Sequence, residues 1–370
     1  LRAESYIFLQ YEAILNKLHI FCRYLIVYAT GLFAISGAAY ATTAPTVMQP
    51  LTTANAATKL KGVNLSGAEY SASNLLAKAG YQYTYPSNSE IDYYKSKGFT
   101  TIRLPFSGSR LQPQYWKPLD PAELARLRAV VDYAATKGLY VILDPHEYGG
   151  RYDVVSKTTK PYGTATGLPS NQFRTFWNLV AIAFKSSPNV IFGLMNEPHI
   201  QTAKEWRAVA EAGVYGIRRA GATQLILIPG TSWTGAHSWV SSGNAAAWVG
   251  FKDSNFAFEV HQYLDSDSSG MHSTCVANKG STVLNAVSTW ARTNRYKLFL
   301  GEMGWSQDPV CLTEGNAMMQ YTLRNTDVWT GWAYWSAGKW VKQDYMYMLT
   351  PTSLTIPVDR PQMKALVDAL

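Results

Sequence analysis

The sequence predicts an α/β chain folded as a single (β/α)8 barrel, the TIM-barrel arrangement. Three observations carry that expectation. Eight apolar, β-rich runs start about 30 to 50 residues apart, helical patterns fill the gaps, and polar or aromatic groups gather at the same end of nearly every run. The runs are Lys61–Gly67, Phe99–Phe106, Leu139–His146, Asn189–Pro198, Gln224–Gly230, Phe256–Tyr263, Lys297–Gly304 and Trp329–Gly338. Strands that are apolar almost throughout suit a parallel sheet covered by helices on its outer face. Eight such units suggest closure into a barrel. An open doubly wound sheet is the structural alternative, but the chain has no G-x-G-x-x-G or phosphate-loop pattern to support it.

Two of the intervening helices are well marked. Pro121–Lys137 has an acidic start, apolar positions at helical spacing and a stop at Gly138; Ala203–Arg219 behaves likewise and ends before Gly221. The chain continues for about 30 residues past the eighth run, the length of one terminal helix and a loop. With no Ser/Pro/Thr-rich linker, residues 59–370 read as one domain.

The 370 residues are 47% hydrophobic and 16% charged; the charged share is below the typical ~25% and argues against disorder. The net charge of +8 is scattered, with Arg218-Arg219 the longest basic run, so it reads as a solvated surface rather than a nucleic-acid footprint. The 12 Trp, 24 Tyr and 13 Phe exceed what calls for no comment: some are core, but so many rings also suit a ligand that stacks.

Residues 24 to 35 form an apolar stretch after Lys17 and Arg23, followed by small residues up to Ala39-Tyr40-Ala41. This is the pattern of a secretory signal peptide over residues 1–41, cleaved after Ala41, and it is shorter than the ~20 residues of a membrane span. An uncleaved anchor is the alternative. The first methionine is Met48, so residues 1 to 16 need not belong to the natural protein. Residues 42–58, rich in Thr, Ala and Pro, read as a flexible leader. Removing the signal leaves Cys275 and Cys311, which follow neighbouring strands six and seven. Their loops lie side by side at the barrel rim, and an exported protein meets an oxidising compartment, so a disulfide is expected.

The C-terminal strand ends carry Arg103, Asp144 and His146, Asn196-Glu197, His261 and Tyr263, Glu302, and Trp335. Barrel enzymes place their active sites at this rim. No G-x-S-x-G is present, Ser232 is followed by Trp233, and no serine or cysteine triad is evident. Two carboxylates flanking a bond are the usual apparatus of glycoside hydrolysis, one protonating the leaving oxygen and the other attacking the sugar carbon. Their pKa values must be pushed apart; Arg103 can hold one ionised, and Asn196 can bond the hydroxyl beside the reacting carbon. His146 and His261 lie on separate strands without H-x-H or H-E-x-x-H spacing, so a metal site is not expected. A non-catalytic carbohydrate-binding barrel is the rival of another class. Trp233, Trp239, Trp305, Trp335 and Trp340 follow strands five, seven and eight, where each can be a sugar platform or a core residue.

Arg103-Leu104-Pro105, Asp144-Pro145-His146, Asn196-Glu197-Pro198, His261-Gln262-Tyr263, Glu302 and Trp335, in this order, resemble glycoside hydrolase family 5. Gly62-Val63-Asn64, Gly67-Ala68-Glu69 and Tyr85-Pro86 look most like its microbial endo-β-1,4-glucanases. The resemblance covers residues 59 to 370. It implies a secreted, retaining cellulase with Glu197 as acid/base and Glu302 as nucleophile, and with no cofactor or catalytic metal. Arg103, His146, Asn196, His261, Tyr263 and Trp335 become the supporting shell, with Trp335 flooring the sugar subsite beside the cut and Trp233 a further substrate contact. The partner is a β-glucan polysaccharide or oligosaccharide. Nucleic acid and lasting membrane association are not expected, and the enzyme should be a monomer. β-Mannanase is the nearest rival activity, followed by xyloglucan- and β-1,3-glucan-active enzymes. Members of the family often follow the strand-three histidine with Asn and Tyr, whereas this chain reads His146-Glu147-Tyr148. Glu147 either points away from the catalytic pair or shifts the pH profile.

Overall fold

The computed structural model describes residues 48–53 and 60–370, and in it the eight apolar runs pair into one closed parallel barrel. The strands are β1 (Leu60–Leu65), β2 (Thr101–Phe106), β3 (Tyr140–Pro145), β4 (Val190–Gly193), β5 (Ile226–Pro229), β6 (Phe256–Tyr263), β7 (Leu298–Gly304) and β8 (Trp329–Ala337). Each pairs with its neighbours in sequence, and β8 closes on β1. β4 is shorter than the run Asn189–Pro198 suggests. Its continuation keeps isolated bonds, Leu194 N to Leu227 O at 3.0 Å and Asn196 N to Pro145 O at 3.1 Å, while the chain turns out over the rim.

The crossover helices start where the sequence supplies caps. Thr202 and Glu205 form a capping box on Ala203–Arg219, and Asp120 caps Pro121–Thr136 with Pro121 in its first turn. The β5–β6 connection has only two short turns of helix, the 3-10 turn Ser232–Thr234 and Asn244–Ala247, and Trp239 and Trp248 bury themselves against Phe258 beside the second. A small antiparallel hairpin, Gly150–Asp153 with Thr158–Pro161, follows β3. Four-residue strands of this polarity carry no apolar run, so the sequence gives no sign of them.

Alternation along the strands determines what fills the barrel. Near its N-terminal end Leu60, Ile142, Ile191, Leu225, Leu227, Ala257, Phe299 and Ala333 form one inner apolar cluster. Leu51 joins it and is 5% exposed. Asn255 fixes this segment, accepting from Thr53 N at 2.9 Å and donating to Leu51 O at 2.8 Å. Residues 48–53 are therefore part of the packed fold, which corrects the expectation of a leader outside it. The signal segment over 1–41, Cys22 and the rest of the leader lie outside the described residues. Among the described residues no helix is long and apolar enough to cross a membrane.

Cys275 and Cys311 are bonded, with S–S 2.05 Å and Cα–Cα 5.0 Å, as the strand order anticipates. The bridge ties the loop after β6 to the helix Pro309–Arg324 after β7.

Candidate active site

Two residues above the inner apolar layer, the same strand faces turn polar. On β3, Ile142 is followed at that spacing by Asp144 and His146; on β6, Ala257 is followed by Glu259, His261 and Tyr263. Period-two geometry alone therefore projects these groups into the mouth of the barrel. β7 needs one further device. Phe299 faces inward, so regular alternation would turn Glu302 outward. The register between β6 and β7 slips after Val260↔Leu300 and resumes at His261↔Glu302. The extra residue, Gly301, forms a bulge that swings Glu302 back inside. Gly301 itself packs against the Glu259 carboxylate so closely that a side chain there would overlap it.

Arg103 is the centre of the site and is fully buried. Its Nη1 donates to Glu302 Oε1 and Asn64 Oδ1, both at 2.9 Å, and its Nη2 donates to Asn196 Oδ1 at 2.8 Å. The same guanidinium lies 3.1 Å from Asp144 and 2.9 Å from Glu259. Burial disfavours its charge, but Asp144, Glu259 and Glu302 outweigh that and raise its pKa.

Glu302 is held at both oxygens, since Tyr263 OH donates to Oε2 at 2.8 Å. Burial raises its pKa above the ordinary carboxylate value, and the charge of Glu197 adds to this; His261, Arg103 and His146 pull the other way. Glu197 lies just beyond β4 with a left-handed φ of 42° and is partly open to solvent. His261 Nδ1 meets Glu197 Oε1 at 2.8 Å, while its Nε2 faces Glu259 Oε1 at 3.3 Å. Burial lowers the pKa of His261, yet Glu302, Glu197 and Glu259 together push it up to about 10. The ring is therefore an imidazolium at neutral pH, with Glu197 at one nitrogen and Glu259 at the other.

One oxygen of Glu197, one oxygen of Glu302 and a ring nitrogen of His261 all lie within 4.8 Å of one another. That spacing could also hold a cation. Both nitrogens of His261 are already turned to carboxylates, however, so the imidazolium supplies the positive charge. A second cluster, Asp265 with Asp267 and His272, is a loop staple: Asp265 accepts from the backbone of Gly270, Met271 and His272.

On the other side of the site His146 Nδ1 donates to Asp144 Oδ2 at 2.8 Å, and its Nε2 accepts from Asn196 at 3.2 Å. Burial raises the pKa of Asp144, but Arg103 and His146 override it and hold the net value low. Trp335 stacks on His146 with centroids 5.3 Å apart and planes 13° from parallel. Two cavities open along the rim. One, of about 600 Å³, runs past Glu197, His261, Tyr263, Trp233, His237 and Asp267. The other, of about 590 Å³, runs past His146, Tyr148, Trp335, Trp340, Tyr345 and Glu69.

The structure thus joins Arg103, His146, Asn196, Glu197, His261, Tyr263 and Glu302 in one network of hydrogen bonds and ion pairs, with Trp335 stacked on His146. Trp233 stands 55% exposed in the first cavity, stacked on His199 at 4.8 Å. Trp239 and Trp305 are fully buried and belong to the core, not to the sugar platforms. Glu147 turns away from the catalytic pair: it accepts from Ser109 N at 2.6 Å and from Ser107 Oγ at 3.3 Å, at the start of the turn Gly108–Leu111. Sequence reading missed Glu259 and Asn64. The signal for Glu259 was a charge inside an apolar strand, two residues before a named histidine and so on its face.

Comparison with known proteins agrees with this geometry. The family model for cellulase of glycosyl hydrolase family 5 matches residues 52–338. Endoglucanase gh5-1 of Neurospora crassa is 35% identical over 307 residues, covering 82% of this chain and 75% of its own. The probable endo-beta-1,4-glucanase B of Aspergillus oryzae is 36% identical over 293 residues, 78% of this chain and 84% of its own. Among solved structures, XacCel5A in complex with cellopentaose superposes with a TM-score of 0.80 at 40% identity, over 85% of this chain and 100% of that one. Cel5A of Hypocrea jecorina superposes with a TM-score of 0.73 at 29% identity, over 83% of this chain and 98% of that one.

Proposed function

The chain belongs to glycosyl hydrolase family 5, and from that premise we propose that it is a secreted endo-β-1,4-glucanase working by double displacement on Glu197 and Glu302. The observation that carries the mechanism is the approach of the two carboxylates, an oxygen of each within 4.8 Å of the other. Retaining enzymes hold the two carboxyl groups ~5–5.5 Å apart and inverting enzymes ~6.5–9.5 Å to admit a water, and oxygens this near suit the closer arrangement. The substrate class rests on the endo-β-1,4-glucanase relatives and on the cellopentaose bound by XacCel5A.

Arg103 and Tyr263 orient Glu302 and favour its ionised form. Its carboxylate attacks the anomeric carbon of a bound glucosyl unit and forms the C–O bond of a glycosyl-enzyme as the glycosidic C–O bond breaks. Glu197 gives its proton to the departing oxygen, then accepts one from the water that attacks the same carbon, restoring Glu302. Asn196, fixed by Arg103 and His146, points its amide to the hydroxyl next to the reacting carbon. That bond strengthens as positive charge develops on the ring. Trp335 lies beneath the same sugar. The two cavities receive the chain on either side of the cut, as internal cleavage requires.

Proton NMR of the first product released from a soluble β-1,4-glucan tests this reading. The β-anomer is expected first; an initial α-anomer would show inversion and remove Glu302 from the nucleophile's role. Assay against mannan, xyloglucan and β-1,3-glucan tests the substrate class. The signal-like pattern before Ala41 supports export, and N-terminal sequencing of exported protein tests it.

A further inference from the structure

We propose that Glu259 is a positioning residue of this site, the buried carboxylate that joins the nucleophile's arginine to the acid/base's histidine and so couples the two halves of the catalytic pair. The inference rests on the roles proposed above for Glu197 and Glu302, and it concerns a residue outside the set that the family motifs single out.

The geometry is a continuous chain of alternating charge. Glu302 meets Arg103 at 2.9 Å, Arg103 Nε meets Glu259 Oε1 at 2.9 Å, Glu259 Oε1 meets His261 Nε2 at 3.3 Å, and His261 Nδ1 meets Glu197 Oε1 at 2.8 Å. One oxygen of Glu259 therefore serves both cations. Its side chain is 1% exposed, so its charge is screened little by solvent, and it lies below the sugar-binding rim, out of reach of substrate. Room has been made for it: Gly301, the bulge residue that turns Glu302 inward, packs on this carboxylate and leaves no space for a side chain. A buried carboxylate is costly unless its partners are charged and close. Here two cations satisfy it, and no sugar contact explains its presence.

Its chemical effect follows from the groups around His261. These are Glu197 beyond β4, Glu302 on β7, Arg103 on β2, Asp144 and His146 on β3, and Glu259 and Tyr263 on its own strand. Arg103 is permanently charged and disfavours a second cation beside it. Glu259 offsets that arginine and accepts at Nε2, so the imidazolium persists and keeps Nδ1 a donor towards Glu197. Without the charge of Glu259 the pKa of His261 falls, because one of the three carboxylates that raise it is gone.

The test uses Glu259→Gln and Glu259→Asp, read by the ring ¹⁵N shifts of His261 across pH and by the pH dependence of kcat/KM on a soluble β-glucan. In the wild type the imidazolium should persist to about pH 10. E259Q should lower the midpoint of the His261 titration by about 1–3 pH units, the size of effect a neighbouring charge has, and shift the pH profile of kcat/KM with it. E259D, which keeps the charge, should retain the imidazolium at pH 8. Gly301→Ala, which displaces the carboxylate without removing it, should behave as E259Q does and stands in for it should that variant not fold. An E259Q or G301A enzyme whose His261 titrates as in the wild type overturns the proposal, as does an E259D variant that loses the imidazolium as fully as E259Q. The NMR arm needs no turnover. Failure on every β-glucan would therefore count against the proposed activity while leaving the His261 result to decide this one.

Discussion

Replacing Arg103 with methionine should move the acid limb of activity to higher pH and destabilise the fold, and the two effects can be sized from the same contacts. The guanidinium lies 2.9 Å from Glu302 Oε1, 2.9 Å from Glu259 and 3.1 Å from Asp144. At an effective dielectric of about 20, two charges 2.9 Å apart interact by roughly 6 kcal/mol, a ceiling of about four pKa units. His261 remains beside Glu302 and compensates in part, so a rise of about 1–3 units is the working figure. The sign is fixed by the mechanism: the nucleophile acts ionised, and its pKa is already raised by burial. Losing Arg103 raises it further, and the rate at mildly acidic pH falls first. Methionine also removes one charged partner from each of three buried carboxylates. Breaking one buried pair costs about 3–5 kcal/mol, which lowers Tm by on the order of 10 °C in a domain of this size.

The assay is kcat/KM against pH on a soluble β-1,4-glucan, alongside calorimetry. Arg103→Lys is the informative companion. It keeps one charge but loses the planar fork that reaches Glu302, Asn64 and Asn196 together. It should restore part of the acid-limb position and little of kcat. An Arg103→Met enzyme with an unmoved acid limb and unchanged Tm would refute the electrostatic role given to this residue.

Three further outcomes are expected. Trp335→Ala should keep the fold, because the ring is only half-buried and stacks chiefly on His146, while kcat/KM falls at least tenfold; circular dichroism separates this from unfolding, and normal kinetics would remove Trp335 from the site. Replacing Cys275 and Cys311 with serine opens a loop of 36 residues and should cost roughly 3–4 kcal/mol, seen as a lower Tm with kcat largely retained. The pKa of His261 rises on folding from the ordinary 6.5 to about 10, so its contribution to stability is full below 6.5 and drains away as pH climbs through 10. Thermal melts should show Tm falling over that window, and His261→Asn should flatten the slope.

The barrel was legible because its strands are buried on both faces and so stand out as continuous apolar runs. The rim was legible for the converse reason: Arg103, Asp144 or Glu302 has no place in such a run unless something polar waits for it. What one sequence cannot supply is the partner of each polar group. Glu147 and Glu302 are both carboxylates near the rim. Only the fold shows that the amide of Ser109 and the hydroxyl of Ser107 take up the first, while Arg103 and Tyr263 take up the second. The tryptophans make the same point. Trp233 and Trp239 are six residues apart on one loop, yet the first stands in the cavity and the second is sealed against Phe258 and Trp290. Both are large, apolar and close to a strand end, and nothing local distinguishes them.

Glu302 shows how far the pattern reaches and where packing takes over. Its identity and its strand follow from the sequence, but strict alternation from Phe299 would place it on the outside of the barrel. The bulge at Gly301 reverses that, and the reversal has a physical reason on the neighbouring strand. Glu259 occupies the inward space opposite position 301, so only a residue without a side chain can face it, and the next residue is then free to turn toward Arg103. The orientation of the nucleophile thus depends on a carboxylate one strand away. A change at Glu259 should therefore disturb the geometry of Glu302 as well as the charge of His261, while a change at Tyr263 should loosen Glu302 alone.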